Sequence, residues 1–314
     1  MKRLLLFFLI CISLKIFTQE PPFYYHYIFN KGYINPAFTG SEMKAKVKIA
    51  DMHSNILKSN MPNYQEISLS DRLGNCGLSW AIMGANASNL NAKSFQFSYS
   101  YHFLLKENRR YNNNTYLSVG ASAIASLFID DVAQPEGGHV STSSIMDSDL
   151  SPNINMGTYL YNKDYYVGIS ASRFVPYPYE PLNEVNGEDL NTIHLFAIGG
   201  FKIYRGNKKS YLEPTLLAIG KGDGNIATDV GITACMKKLY CISLSHRVVE
   251  RLNEFNQYLV PAFVYNLRNY EFGYSIDIPV VANDHYALFY HRIYLSYTVA
   301  DRCKTRLKDC PAYW

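Results

Sequence analysis

The chain has 314 residues, of which 48% are hydrophobic and 18% charged, and a formal charge of +4. Without Lys2, Arg3 and Lys15 that charge falls to about +1, which excludes the strong electrostatic claim on nucleic acid that a basic domain makes. Beyond the N-terminus no stretch approaches the roughly 18 apolar residues of a helical membrane span, so any membrane role falls to strands or to attachment.

Taken from the start, Lys2 and Arg3 precede an apolar run from Leu4 to Leu14, and the first acid is Glu20. That order is the one a secretory signal peptide uses, and cleavage is expected after Thr18, making 1–18 a removable signal segment and 19–42 the leader of the mature chain. Residues 19–42 form a second segment that does not alternate. Phe23 to Ser41 reads FYYHYIFNKGYINPAFTGS, punctuated at Asn30, Gly32, Asn35-Pro36 and Thr39-Gly40. Its aromatic side chains need somewhere to bury, because an exposed cluster of that size is an aggregation liability. The segment is expected at or inside the periplasmic mouth of a barrel, where it narrows the lumen and meets partners. Phe23, Tyr27, Phe29, Asn30, Tyr33, Asn35, Pro36 and Gly40 are the candidate plug or partner-binding residues.

Residues 43–300 read as strands. Phe95, Phe97, Tyr99, Tyr101 and Phe103 share one face, with Ser94, Gln96, Ser98, Ser100 and His102 on the other. A period of two places alternate side chains on opposite faces of a sheet, whereas a helix would scatter those aromatics around its circumference. Tyr270 to Ile278 and Phe289 to Val299 repeat the pattern. About 14 such segments follow one another, which predicts an all-β transmembrane antiparallel barrel. The connections are expected to sort by parity, with short periplasmic turns such as Gly74, Lys163, Lys237 and Arg268 and longer extracellular loops such as 130–152 and 174–190. A soluble sandwich has no reason to sort its loops that way. Glu66, Arg72, Asp229, Glu271, Asp277 and Arg292 are expected to point into a polar lumen, since the reverse would put charge into hydrocarbon.

Signs of chemistry are few. Gly220 to Asn225 lies between strands rather than before a helix, so it reads as a hairpin turn and not a phosphate cradle. Asp130, Asp131, Glu136, His139, Asp147 and Asp149 lack the spacing of a calcium loop and read as a solvated surface. Ser100 and His102 share a face but bring no third group, so the chain is not expected to be an enzyme. No cofactor or metal pattern is present. Outside Cys11 there are five cysteines, Cys76, Cys235, Cys241, Cys303 and Cys310. Cys303 and Cys310, in a periplasmic tail 301–314 beyond the last strand, are the expected disulfide. Cys235 and Cys241 flank a tight turn, and across a two-residue turn they would lie on opposite faces.

The stretch Gln19-Glu20-Pro21 to Asn30, continuing through Tyr33-Ile34-Asn35-Pro36-Ala37-Phe38-Thr39-Gly40-Ser41, resembles the start of the PorP/SprF family of Bacteroidota. Pro152 to Gly157, Asp164 to Ser170 and the ending Cys310-Pro311-Ala312-Tyr313-Trp314 are also similar to that family. Lys31-Gly32 departs from its usual Pro-Leu, and Met52 to Lys58 replaces an element rich in Arg and Trp. The resemblance implies an outer-membrane, non-enzymatic barrel of the type IX secretion and gliding machinery. Its implied partners are components of that machinery, the secreted surface proteins it accepts or anchors, and the outer-membrane bilayer. Two rival readings are a passive porin and a soluble secreted all-β binding protein.

Overall fold

The computed structural model describes residues 27, 29–54, 63–87, 90–108, 113–132, 145–175, 193–205, 210–221, 226–251, 254–281 and 289–301. The alternating segments form β1 (Lys44–Ser54), β2 (Asn63–Leu73), β3 (Cys76–Ala87), β4 (Leu90–Lys106) and β5 (Thr115–Val132). They continue as β6 (Ile145–Tyr161), β7 (Tyr165–Ser172), β8 (His194–Phe201), β9 (Ile203–Arg205) and β10 (Ser210–Lys221). The last five are β11 (Ile226–Met236), β12 (Tyr240–Arg251), β13 (Glu254–Leu267), β14 (Tyr270–Val281) and β15 (Tyr290–Asp301). β8 and β9 are one stave interrupted at Lys202, since both pair with β10. Every neighbour pair is antiparallel, and β15 returns to β1, with Ile49 opposite Leu295. The ring is therefore a closed barrel of 14 staves. Closure pairs neighbouring staves all the way round and leaves no free first or last strand, as hydrocarbon demands.

The two faces follow the sequence pattern. Tyr99 and Tyr274 are exposed on the outside, and Phe97 and Leu295 lie on the same outer face. Ile67, Ile82, Val119, Ile169, Leu195 and Ile293 join them. Glu66, Arg72, Asp229, Asp277 and Arg292 are buried on the inner face. The tight turns carry residues in the left-handed region at Gly74 (φ 64°), Lys237 (φ 53°), Lys238 (φ 59°) and Arg268 (φ 54°). Only the first has no Cβ to strain there.

Two expectations need correction. Loop length sorts by parity less cleanly than the sequence suggested. Strand pairing runs on past the apolar band, from Ala87 to Leu90 and from Arg251 to Glu254, leaving only residues 88–89 and 252–253 as connections. Hydrophobic alternation marks the lipid band, whereas backbone pairing can extend beyond it into water. For the same reason Asp130, Asp131, Asp147 and Asp149 belong to the β5–β6 hairpin, with Asp130 opposite Asp147. Glu136 and His139 lie outside the described residues, as do 222–225 of the glycine-rich turn.

The second correction concerns the disulfide. Cys235 and Cys241 are bonded, directly opposite each other on β11 and β12. The turn between them has three residues, 237–239, with Met236 paired to Tyr240. An odd loop puts both thiols on the same inner face, where both are buried. Cys303 and Cys310 lie outside the described residues. Non-reducing peptide mapping is expected to give a linked Cys235–Cys241 fragment and an alkylated Cys76, which has no disulfide partner among the described residues. Recovery of Cys235 as a free thiol would contradict this pairing.

Candidate functional site: a leader inside the barrel

The non-alternating leader has no ladder of its own, so its backbone groups must be satisfied by short turns and by the barrel wall. Lys31–Tyr33 and Pro36–Phe38 are single 3-10 turns. Asn35 caps the second, its Oδ1 accepting from the Ala37 amide at 3.0 Å. Its Nδ2 donates to the wall carbonyls of Thr158 (2.9 Å) and Ile169 (3.3 Å). Pro36 fills the first turn, where a missing N–H costs nothing. Gly40 adopts φ +75°, and a Cβ there would stand 2.7 Å from the Gly77 Cα. Asn35, Pro36, Ala37, Phe38, Thr39, Gly40 and Ser41 are all buried.

The wall is cut to receive this segment. At Gly120 an added Cβ would lie 2.5 Å from the Ala37 nitrogen and 2.7 Å from the Pro36 carbonyl carbon. At Gly77 it would collide with the Thr39 carbonyl, and at Gly157 with the Asn35 side chain. Glycine inside a strand is otherwise a weakness, and here it admits a second backbone at close range. The Thr39 carbonyl accepts from the Ser100 hydroxyl at 2.6 Å and lies 2.9 Å from His102 Nε2. The other ring nitrogen of His102 is 2.8 Å from the Tyr161 hydroxyl, which accepts from Arg72 at 2.7 Å. One assignment satisfies the whole chain of contacts: Arg72 donates to Tyr161, Tyr161 to His102 Nδ1, and His102 Nε2–H to Thr39. Ser100 and His102 thus hold a backbone carbonyl of the leader.

Residues nearer the N-terminus reach other parts of the wall. Asn30 donates to Glu66 at 2.9 Å, and the Tyr33 hydroxyl meets the Met83 sulfur. Phe29 stacks on Tyr294 at 5.1 Å between centroids. The Lys31 ammonium sits 3.8 Å from the centre of the Tyr166 ring and 3.9 Å from Glu213. Burial lowers the Lys31 pKa, with Glu213 opposing the shift. Tyr27 is buried beside Asp229, and both that burial and the carboxylate push its hydroxyl pKa up. Between the leader and β1–β4 remains a cavity of about 30 Å³, bounded by Glu42, Lys48, Glu66 and Ser68. That is room for a water or two.

Two charge clusters hold the surrounding wall. Lys46 bridges Glu42 (3.0 Å) and Glu271 (3.3 Å), tying the end of the leader to β14. Burial alone would raise the Glu42 pKa, but Lys46 and Lys48 hold its carboxyl well below the usual range. Further along, Arg247 contacts Asp229 at 2.9 Å and Asp277 at 2.6 Å, while Arg292 forks onto Asp277.

Of the eight leader residues singled out in the sequence, Tyr27, Phe29, Asn30, Tyr33, Asn35, Pro36 and Gly40 all lie within the barrel, and Phe23 lies outside the described residues. Sequence reasoning passed over Gly77, Gly120, Gly157 and Tyr161 on the receiving side, and it noted Arg72, Ser100 and His102 without what they hold. The signal that could have found the first three is glycine interrupting a well-formed alternating strand.

Residues 16–297 match the family model described as type IX secretion system membrane protein PorP/SprF. No curated protein matches the sequence. Among solved structures, the CymD monoaromatic hydrocarbon channel aligns with a TM-score of 0.52 at 9% identity, covering 86% of this chain and 93% of that one. Omp33 of Acinetobacter baumannii gives 0.47 at 6% (83% and 100% covered), and the KdgM porin 0.39 at 10% (81% and 99%). At such identities the first of these speaks to fold alone.

Proposed function

The chain belongs to the PorP/SprF family of type IX secretion system membrane proteins, and on that premise we propose that it is a sealed outer-membrane platform that accepts or anchors secreted surface proteins. It does so without catalysing a reaction, as part of the type IX secretion and gliding machinery. It reaches the outer membrane by a cleavable signal peptide, residues 1–18, and its tail, 301–314, lies in the periplasm with Cys303 and Cys310 as a second disulfide. The single observation that supports this reading over a passive porin is the leader. Its backbone lies against the wall at Gly77 and Gly120, and its side chains reach walls on several sides. A lumen so filled passes no solute of the size porins admit, so the working surfaces are the rims.

Two measurements test the reading. Purified barrel in a planar bilayer is expected to show no steady solute conductance; a stable porin-like conductance of the intact chain would favour the porin alternative. Deleting the gene from its host is expected to strip a set of secreted proteins from the cell surface into the medium. Unchanged retention of every surface protein would refute the anchoring role.

A further inference from the structure

Charge is unevenly spread around the short-turn end of the barrel. On one flank, among the described residues, a cation has an acid beside it: Asp301 stands opposite Lys44, and Lys106-Glu107 and Lys163-Asp164 are neighbours in sequence. The arc from β9 to β14 differs. It carries Arg205 at the end of β9, Lys237 and Lys238 in the β11–β12 turn, and Arg268 in the β13–β14 turn. Between Phe201 and Tyr270 the one described acid at that end is Glu213, which is buried inside the barrel near Lys31.

Three of these four cations occupy backbone positions that their side chains disfavour. Lys237 (φ 53°), Lys238 (φ 59°) and Arg268 (φ 54°) lie in the left-handed region, where glycine or asparagine is the ordinary occupant. The Leu239 amide donates to the Met236 carbonyl at 2.9 Å, so Lys237 and Lys238 stand where a primed hairpin turn usually has Asn-Gly. Both neighbouring staves brace the turn. The Lys237 amide donates to the hydroxyl of Ser210, which is opposite Arg205, and the Asn266 side chain donates to the Lys238 carbonyl. Burial lowers the Lys238 pKa, with no described acid opposing the shift. Among the described residues none of the four cations meets a carboxylate. A half-buried ammonium with no counter-charge is costly, and an arriving anion relieves that cost.

The surface next to the cations is apolar. Ile203, Met236 and Leu267 are exposed on the outer face, and Tyr240 stacks on Tyr265 beside them at 6.5 Å between centroids. Turns two staves apart are about 10 Å from one another, so long basic side chains from both converge on an anion between them. We propose that Arg205, Lys237, Lys238 and Arg268 seat the phosphate headgroups of anionic phospholipids of the periplasmic leaflet, with the acyl chains lying along Ile203, Met236 and Leu267. In a membrane-embedded barrel the phosphates of that leaflet lie level with the ends of the outer apolar rows, where the cations stand. An acidic protein would answer the charge but not its continuity with the lipid-facing rows. The seat follows from the barrel's place in the membrane and is independent of the anchoring role.

The test offers the purified full chain, in mild detergent, phosphatidylglycerol or phosphatidylcholine with the same acyl chains, and counts bound lipid by native mass spectrometry. The unaltered chain is expected to retain phosphatidylglycerol in preference. Each basic residue beside an anionic headgroup is worth about fivefold in binding, so the triple variant Lys237→Asn, Lys238→Gly, Arg268→Asn is expected to lower that preference about a hundredfold. Asparagine and glycine suit those φ values, so the variant is expected to fold, which heat-modifiable migration checks. Lys106→Asn, which removes a cation beside Glu107, is expected to leave the preference unchanged. Equal retention of the two lipids by the unaltered chain overturns the seat without recourse to any variant. A folded triple variant that keeps its preference also overturns it, and if that variant has lost a cross-linked periplasmic protein the arc belongs to a protein. An equal loss in Lys106→Asn would reduce the effect to net charge, and displacement of the lipid by equimolar inorganic phosphate would assign the arc to a free anion; either overturns it.

Discussion

Gly120→Val is expected to open the barrel. A Cβ at this position stands 2.5 Å from the Ala37 nitrogen and 2.6 Å from its Cα, both backbone atoms of the leader. No rotamer of the new side chain removes its own Cβ, so the leader must move. Valine is a favourable strand residue, so β5 keeps its ladder and the barrel itself is retained. The displaced segment gives up the burial of Ile34, Ala37 and Phe38 and the clamp on the Thr39 carbonyl. Real Cβ atoms do not come so close to backbone, so the leader gives way, at a cost of about 1.5–3 kcal/mol for each large apolar side chain it exposes. The expected readings are a rise from a closed baseline to porin-like conductance and new protease cleavage within residues 27–43. Gly84→Val is the control, since nothing lies within 4 Å of its Cβ. A Gly120→Val barrel that stays closed would show that the leader is not what seals it.

Asp277→Ala is expected to destabilise the barrel by about 3–5 kcal/mol, the cost of orphaning a buried charge. Asp277 accepts from both Arg247 and Arg292, and the three side chains are 0–3% exposed. Its removal takes from Arg292 the carboxylate it meets among the described residues and from Arg247 one of its two acidic contacts there. Unfolding in urea from lipid vesicles measures the change. The double variant Asp277→Leu with Arg292→Met is expected to lose less than Asp277→Ala alone, because it removes the orphan along with its partner. A single variant within about 1 kcal/mol of wild type would mean that water already solvates this cluster.

The barrel was legible because its physics is local and periodic. Each strand announces itself by alternation, and the charged inner residues Glu66, Arg72, Asp277 and Arg292 fall on the face where hydrocarbon cannot reach them. The leader was legible for the opposite reason: Phe29, Tyr33 and Asn35-Pro36 break the period and need burial. What could not be read is complementarity between distant segments. Nothing near Gly120 or Gly157 says that Ala37 and Asn35 will lie against them, and nothing near His102 names Thr39 and Tyr161. Such pairs depend on the shear of a closed ring, which sets which rows of side chains face one another. Cys235 and Cys241 were misjudged for a smaller cause, one residue of turn length, and with a period of two that is enough to flip a face.

The eight-residue β7 has a consequence for the height of the wall. At about 3.4 Å per residue it runs roughly 27 Å, and a tilt near 40° reduces its height to about 20 Å. The 18-residue β5 two staves away is more than twice as tall. An apolar belt on an outer-membrane barrel is about 25 Å high, and this flank reaches it with help from beyond the strand's end, where Phe174 is exposed. The strand ladder therefore ends near the bilayer surface at β7 and stands well clear of it at β5.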